Sequence, residues 1–205
     1  MNVPRRKLAT TLLLTLSLVA ALVACAEKQQ PIIVPLPSAT GDPSPGPAAS
    51  PGADTLLPPA CAALASAEDV ANEVGRTFPG APKVVAGNAD QGIGRIGRID
   101  CYYGLAAGRP TTEAPITIGL ATYVDDKAAE ARVTSTVNAE IGTGAPATKV
   151  NVGREQATLL TGTRPTLVGR YGSTTVVVSV ARDVMDAGRV GKVLSRLADL
   201  ALGPR

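Results

Sequence analysis

Histidine and tryptophan are absent from these 205 residues, and other aromatics are scarce: one Phe and four Tyr. Without His there is no imidazole for general acid–base work. There is also no Ser-His or Cys-His nucleophilic pair, and most zinc sites lose their usual ligand. No Gly-x-Ser-x-Gly elbow occurs; Gly172-Ser173-Thr174 reads as turn chemistry. Phe78, Tyr102, Tyr103, Tyr123 and Tyr171 are the aromatic inventory, so a core has to rest on Val, Leu, Ile and Ala. The visible acids, Asp125-Asp126 and Asp183/Asp186, could supply the carboxylate pair of a glycosidase. Each stands where a helix is expected to begin, and capping accounts for them. The oxygens are too dispersed for calcium. No catalytic, metal-binding or cofactor-binding residue is expected, and the chain is read as a non-enzyme.

A membrane-spanning run is also missing. The apolar stretch from Leu8 to Val23 has about sixteen residues, against the roughly 20 that a spanning helix needs, and several are Thr, Ser or Ala. What surrounds it is more telling. Arg5-Arg6-Lys7 precedes the run and Leu22-Val23-Ala24-Cys25 closes it. Charge, then apolar run, then small residues is the pattern of an export signal. An ordinary signal needs no cysteine at that point. A lipid-transferring enzyme does need a thiol at the membrane surface, which is where Cys25 stands. Residues 1–24 are therefore expected to be a lipoprotein signal peptide and Cys25 the lipidated first residue of the mature chain. Two acyl chains anchor stably where one does not, so a diacylglyceryl thioether would keep the protein on the outer face of a cell membrane.

Removing the signal changes the charge and cysteine arithmetic. The chain carries 20 Lys+Arg and 17 Asp+Glu; Arg5, Arg6 and Lys7 leave with the signal, so the mature chain is neutral. Nothing basic remains as a footprint for nucleic acid. Of three cysteines, Cys25 goes to lipid, leaving Cys61 and Cys101. In an oxidising compartment a disulfide between them is the default, with two buried free thiols as the alternative. The bridge would close a loop of about 40 residues, worth roughly 4 kcal/mol by chain entropy.

Residues 25–60 read as the lipidated cysteine and a disordered tether. Proline recurs from Pro31 to Pro59 with Gly, Ala and Ser between, a composition that cannot bury enough apolar surface to order itself. Its reach runs from roughly 35 Å as a coil to about 100 Å stretched. Residues 61–205 are of ordinary length for one domain.

Within that domain, Ala62 to Val74 reads as a helix, with Ser66 and Glu68-Asp69 near a start and Gly75 as its stop. Lys83 to Ala86 and Ile96 to Tyr103 read as strands. Ile116, Ile118 and Leu120 alternate with Thr117, Gly119 and Ala121, the period of a half-buried strand. Asp125 is expected to cap a helix to Ile141, with Ala129, Val133, Val137 and Ile141 on one face and Gly142 as the stop. Ala157 to Thr161 is a further strand candidate. Thr166 to Tyr171 and Thr174 to Ala181 flank Gly172-Ser173, a hairpin turn with Gly in first position. A last helix runs from about Asp186 to Ala201 with Val190, Leu194, Leu197 and Ala201 as its apolar stripe. The expected class is α+β: a single, mostly antiparallel sheet with helices packed on one face and one disulfide.

Three features invite a functional reading. Gly92-Ile93-Gly94-Arg95-Ile96-Gly97 matches Gly-x-Gly-x-x-Gly, but a strand follows it where a dinucleotide site needs a helix; it reads as a hairpin connection. Tyr102-Tyr103 beside Cys101 reads as one ring packed on the disulfide and its neighbour facing water, with a ligand-stacking patch as the alternative. Arg170 and Arg182 read as solvated strand-end charges.

Lipobox, Pro-rich tether, and Pro59-Ala60-Cys61-Ala62-Ala63-Leu64 before a short helix together resemble actinobacterial cell-envelope lipoproteins of unknown function. Cys101-Tyr102-Tyr103, Val152-Gly153-Arg154-Glu155-Gln156-Ala157 and Arg170-Tyr171-Gly172 before Val176-Val177-Val178 are similar to segments of that group. The resemblance implies a two-layer α+β domain, a Cys61–Cys101 bridge and no known enzyme activity. The expected function is a non-catalytic binding or accessory module of the cell envelope, held to the membrane through Cys25, with an envelope protein or lipid as partner. A carrier of a hydrophobic ligand, such as an envelope lipid or glycolipid, is the alternative.

Overall fold

Seven strands form one antiparallel sheet in the computed structural model, which describes residues 57–203. The expected signal, Cys25 and the tether as far as residue 56 lie outside the described residues. The strands are β1 (Lys83–Gly87), β2 (Arg95–Tyr103), β3 (Ile116–Tyr123), β4 (Ala147–Val152), β5 (Glu155–Leu160), β6 (Thr166–Tyr171) and β7 (Thr174–Val180). Their order is β1-β2-β3-β7-β6-β5-β4. Two meanders, β1 to β3 and β4 to β7, are thus joined where β3 pairs with β7. Ile116, Ile118 and Leu120 stand opposite Val180, Val178 and Val176 there. Both strands alternate with period two, so a single register brings both apolar rows to one face. Gly172, with φ of 54°, makes the turn between β6 and β7, the left-handed conformation a two-residue hairpin needs in that position.

Among the described residues the α-helices are α1 (Ala67–Val74), α2 (Asp126–Gly142) and α3 (Ala187–Leu202). The amino-terminal helix is shorter than its composition suggests. Cys61–Ala63 forms a separate 3-10 turn, and α1 starts after Ser66. Ser66 and Asp69 satisfy each other's backbone N–H groups in a capping box, which places the start there. Asp125 caps α2 as expected, accepting from the Ala128 N–H at 2.7 Å. Asp186 occupies the cap position of α3 but its side chain makes no capping bond. Leu57 already packs against the core, so packing begins ahead of Cys61.

The main core lies between one sheet face and α1 with α3. Val190, Leu194, Leu197 and Ala201 meet Ile118, Val176, Val178 and Leu167 there. Cys61 and Cys101 are bonded within this layer, with Cα atoms 5.5 Å apart. Tyr103 is buried beside them and donates its hydroxyl to the Ala65 carbonyl at 2.7 Å; burial, and then the charge of Asp69, push its pKa above the ordinary tyrosine value.

The α+β class, the antiparallel sheet and the disulfide are as expected. Helix α2 departs from one-face packing. It lies over the opposite face, where Ala129 meets Ala121 and Tyr123. Only Ala129 of α2 is buried; Val133 and Val137 are half-buried and Ile141 is 47% exposed. The second face carries Arg98, Asp100, Thr175 and Arg170 among its residues. Beyond its first turns α2 is separated from the apolar part of that face by a cleft, so Val133 lines open space instead of a closed seam. Strand β4 has no counterpart among the expected elements. It is an edge strand with only Val152 buried, so its hydrophobic period is weak.

Candidate functional site: the cleft beneath α2

Alternation along β2 sorts its side chains onto two faces. Ile99, Cys101 and Tyr103 enter the main core, so Arg98, Asp100 and Tyr102 point to the α2 side. The disulfide at Cys101 holds this strand from behind. Asp100 pairs across the sheet with Gly119. A Cβ on Gly119 would stand 2.5 Å from Asp100 Oδ1. Glycine at that position is therefore what lets the carboxylate lie against β3. Gly119→Ala is expected to displace the Asp100 carboxylate and destabilise the protein by about 1–3 kcal/mol. Urea unfolding measures it, and an unchanged midpoint would contradict the close approach.

Asp100 is only 6% exposed. Arg98 closes on it as a fork, Nε to Oδ2 at 2.7 Å and Nη2 to Oδ1 at 3.0 Å. Burial works against the Arg98 charge, but the hydrogen bond and charge of Asp100, followed by Tyr102 and Tyr123, outweigh it and raise the guanidinium pKa. A bidentate pair of this kind carries charge-assisted hydrogen bonds and uses both carboxylate oxygens.

Between this pair and α2 runs a cleft of ≈ 140 Å³. Its apolar walls include Ala121, Tyr123, Val168 and Val177 from the sheet and Val133 from α2; Thr136 and Thr175 add hydroxyls. Arg132 enters from α2 and is half-buried. Unlike Arg98, it has no hydrogen bond or ion pair among the described residues. Nearby, Glu130 of α2 reaches Arg170 of β6 at 3.7 Å. The cleft thus holds two guanidinium groups, one carboxylate already paired, and apolar walls. Among its lining residues no nucleophile is set against a base.

No protein-family model and no curated protein sequence matches the chain. Among solved structures, it is similar to the extracellular domain of PknH from Mycobacterium tuberculosis. The identity is 10%, the TM-score 0.44, and the match covers 68% of this chain and 93% of that one. A likeness at that level carries no functional inference.

The other residues singled out in the sequence fall elsewhere. Gly92, Gly94 and Gly97 belong to the β1–β2 hairpin, where Gln91–Ile93 forms a 3-10 turn and β2 starts at Arg95. That is the expected connection. Tyr102 is half-buried and borders a separate cleft of ≈ 230 Å³ with Thr111, Thr117 and Arg164. Arg164 is engaged there by Ser179 Oγ at 3.1 Å and by the Ala114 carbonyl; burial lowers its pKa, against the opposing charge of Asp183. A third cleft, ≈ 290 Å³, lies at the start of α3 between Thr161, Pro165, Arg182 and Met185. Arg182 is more than a solvated charge: its guanidinium donates to the carbonyls of Gly162 and Thr163. Among the described residues no cluster of three or more His, Cys, Asp or Glu could hold a metal, and no helix is long and apolar enough to cross a membrane.

Arg98, Asp100 and Arg132 were not evident as a site from sequence. Two signals were available. Arg98 and Asp100 stand two apart in a strand, hence on one face, and a lone Gly119 inside an apolar strand marks a close approach.

Proposed function

We propose that the protein is a lipoprotein, anchored through Cys25 on the extracytoplasmic face of the cell membrane. Its globular part serves as a non-catalytic binding module of the cell envelope, and the cleft beneath α2 is where it engages its ligand or partner. The observation that carries this reading is Leu22-Val23-Ala24-Cys25 at the end of a short apolar run behind Arg5-Arg6-Lys7. The Cys61–Cys101 disulfide supports it, since such bonds persist in oxidising compartments. So does the Pro-rich composition between Pro31 and Pro59, which is that of a spacer. The similarity to actinobacterial envelope lipoproteins agrees with it.

The alternative, a carrier of an envelope lipid or glycolipid, calls for a continuous apolar cavity between sheet and helices. Leu194, Leu197, Ile118 and Val178 occupy the layer beneath α3 with no exposed surface. The cleft beneath α2 has Arg98, Asp100 and Arg132 in its lining. These features favour a module that binds a polar group.

Cys25→Ala tests the anchor. The variant is expected to appear in the medium or to stay unprocessed, and mass spectrometry of the wild-type amino-terminal peptide should find Cys25 acylated. Unchanged membrane retention of the variant would sink the proposal.

A further inference from the structure

We infer that the cleft beneath α2 takes a small organic anion, its charged oxygens on Arg132 and its apolar body against Val133, Val168 and Val177. The inference rests on the reading of this cleft as the module's binding site.

Charge bookkeeping across the cleft singles out Arg132. Both Asp100 oxygens are engaged by Arg98, so the carboxylate is not open to a cationic ligand, and Arg98 is matched. Arg132 is left as an uncompensated guanidinium, half-buried, on a helix laid over an apolar wall. Its N–H donors make no bond among the described residues and stay open to an incoming anion, and the planar fork of Arg suits carboxylate and phosphate oxygens. The Thr136 hydroxyl, one turn along α2 from Arg132, borders the same space and can add a donor.

Size narrows the ligand. The ≈ 140 Å³ of the cleft is close to the ~150 Å³ that accommodates a benzene ring in a protein cavity. Val133, Val168 and Val177 offer that ring, or a short branched chain, an apolar bed. The occupant is accordingly a compact anion with an apolar body, either free in the envelope or presented as an anionic lipid headgroup. Packing leaves room for it to enter: α2 is held at its start by Asp125 and Ala129, while its far end is exposed at Ile141.

Benzoate is a suitable probe, with neutral benzamide as its isostere and the full-length mature chain in neutral detergent as receptor. Amide shifts of Val133, Thr136, Thr175 and Val177 should saturate with benzoate. Benzamide should bind at least about tenfold more weakly, and Arg132→Gln should lower benzoate affinity by a similar factor, with Arg132→Lys in between. The benzoate–benzamide comparison needs no variant, so it stands even if Arg132→Gln folds poorly. Displacement of benzoate by phosphatidylglycerol added to the detergent micelles would identify a headgroup as the source of the anion; no displacement would indicate a free one. Equal binding of benzoate and benzamide would overturn the anion while leaving the cleft as a binding site. No saturable shift with either would overturn both.

Discussion

Reducing the Cys61–Cys101 bridge, or replacing both cysteines by Ala, is expected to lower the unfolding free energy by about 4 kcal/mol. The two residues are 40 apart in sequence, and the loop between them contains α1, β1 and most of β2. Opening it lets the unfolded chain explore conformations that the crosslink forbids, and that entropy is the main term. Against a total stability of about 5–15 kcal/mol the loss is large. Part of it is local: Cys101 is wholly buried in the main core, and truncating it leaves a gap beside Tyr103. Urea denaturation with and without reductant measures the effect, and a difference below about 1 kcal/mol would contradict the crosslink's role. Because Asp100 adjoins Cys101, the reduced protein should also show shifted amide signals at Arg98 and Asp100.

Leu197→Ala is expected to destabilise the protein by about 2–5 kcal/mol, whereas Ile141→Ala should change stability by no more than about 0.5 kcal/mol. Leu197 has 0% of its surface exposed and Ile141 has 47%. Leu197 sits where α3 packs on the joined meanders, among Val176, Val178 and Ile118, and its loss creates a cavity that rigid neighbours cannot fill. Ile141 ends α2 in solvent, so truncation removes little buried surface. Thermal or urea unfolding of the two variants side by side decides the matter. Equal effects would mean that α2 packs as closely as α3.

The contrast between these helices shows what could be read from the chain. Both carry apolar residues at helical spacing. In α3 the stripe of Val190, Leu194, Leu197 and Ala201 meets a matching row of Val and Ile, and all four are buried. In α2 the stripe of Ala129, Val133, Val137 and Ile141 faces a sheet surface that mixes valines with charges and hydroxyls across a cleft, and only Ala129 is buried. Periodicity declares that a helix has a face; it does not declare what the face will meet. The same holds for β4, an edge strand whose Thr148, Lys149 and Asn151 are exposed and which exists through its pairing with β5.

Local chemistry was legible wherever one stretch of chain decided the outcome. The Ser66 and Asp125 caps, the Gly172 turn, the valine face of β7 and the pairing left to Cys61 and Cys101 are of this kind. So is the lipobox at Cys25, on which compartment and anchoring rest as expectations. The cleft is not of this kind. Arg98 and Asp100 share a face through strand alternation, but Gly119 makes room for the carboxylate only because β3 lies alongside in that register. Arg132 joins them only because the connection from β3 to β4 carries α2 over the face opposite α1 and α3. Sequence by itself determined the elements with a strong apolar period, the Ser66 and Asp125 caps, the two cysteines left to pair and the lipobox motif, since each depends on short-range order or on counting. Tertiary structure alone decided which face each helix covers, and so which charges meet beneath α2 and which of them is left without a partner.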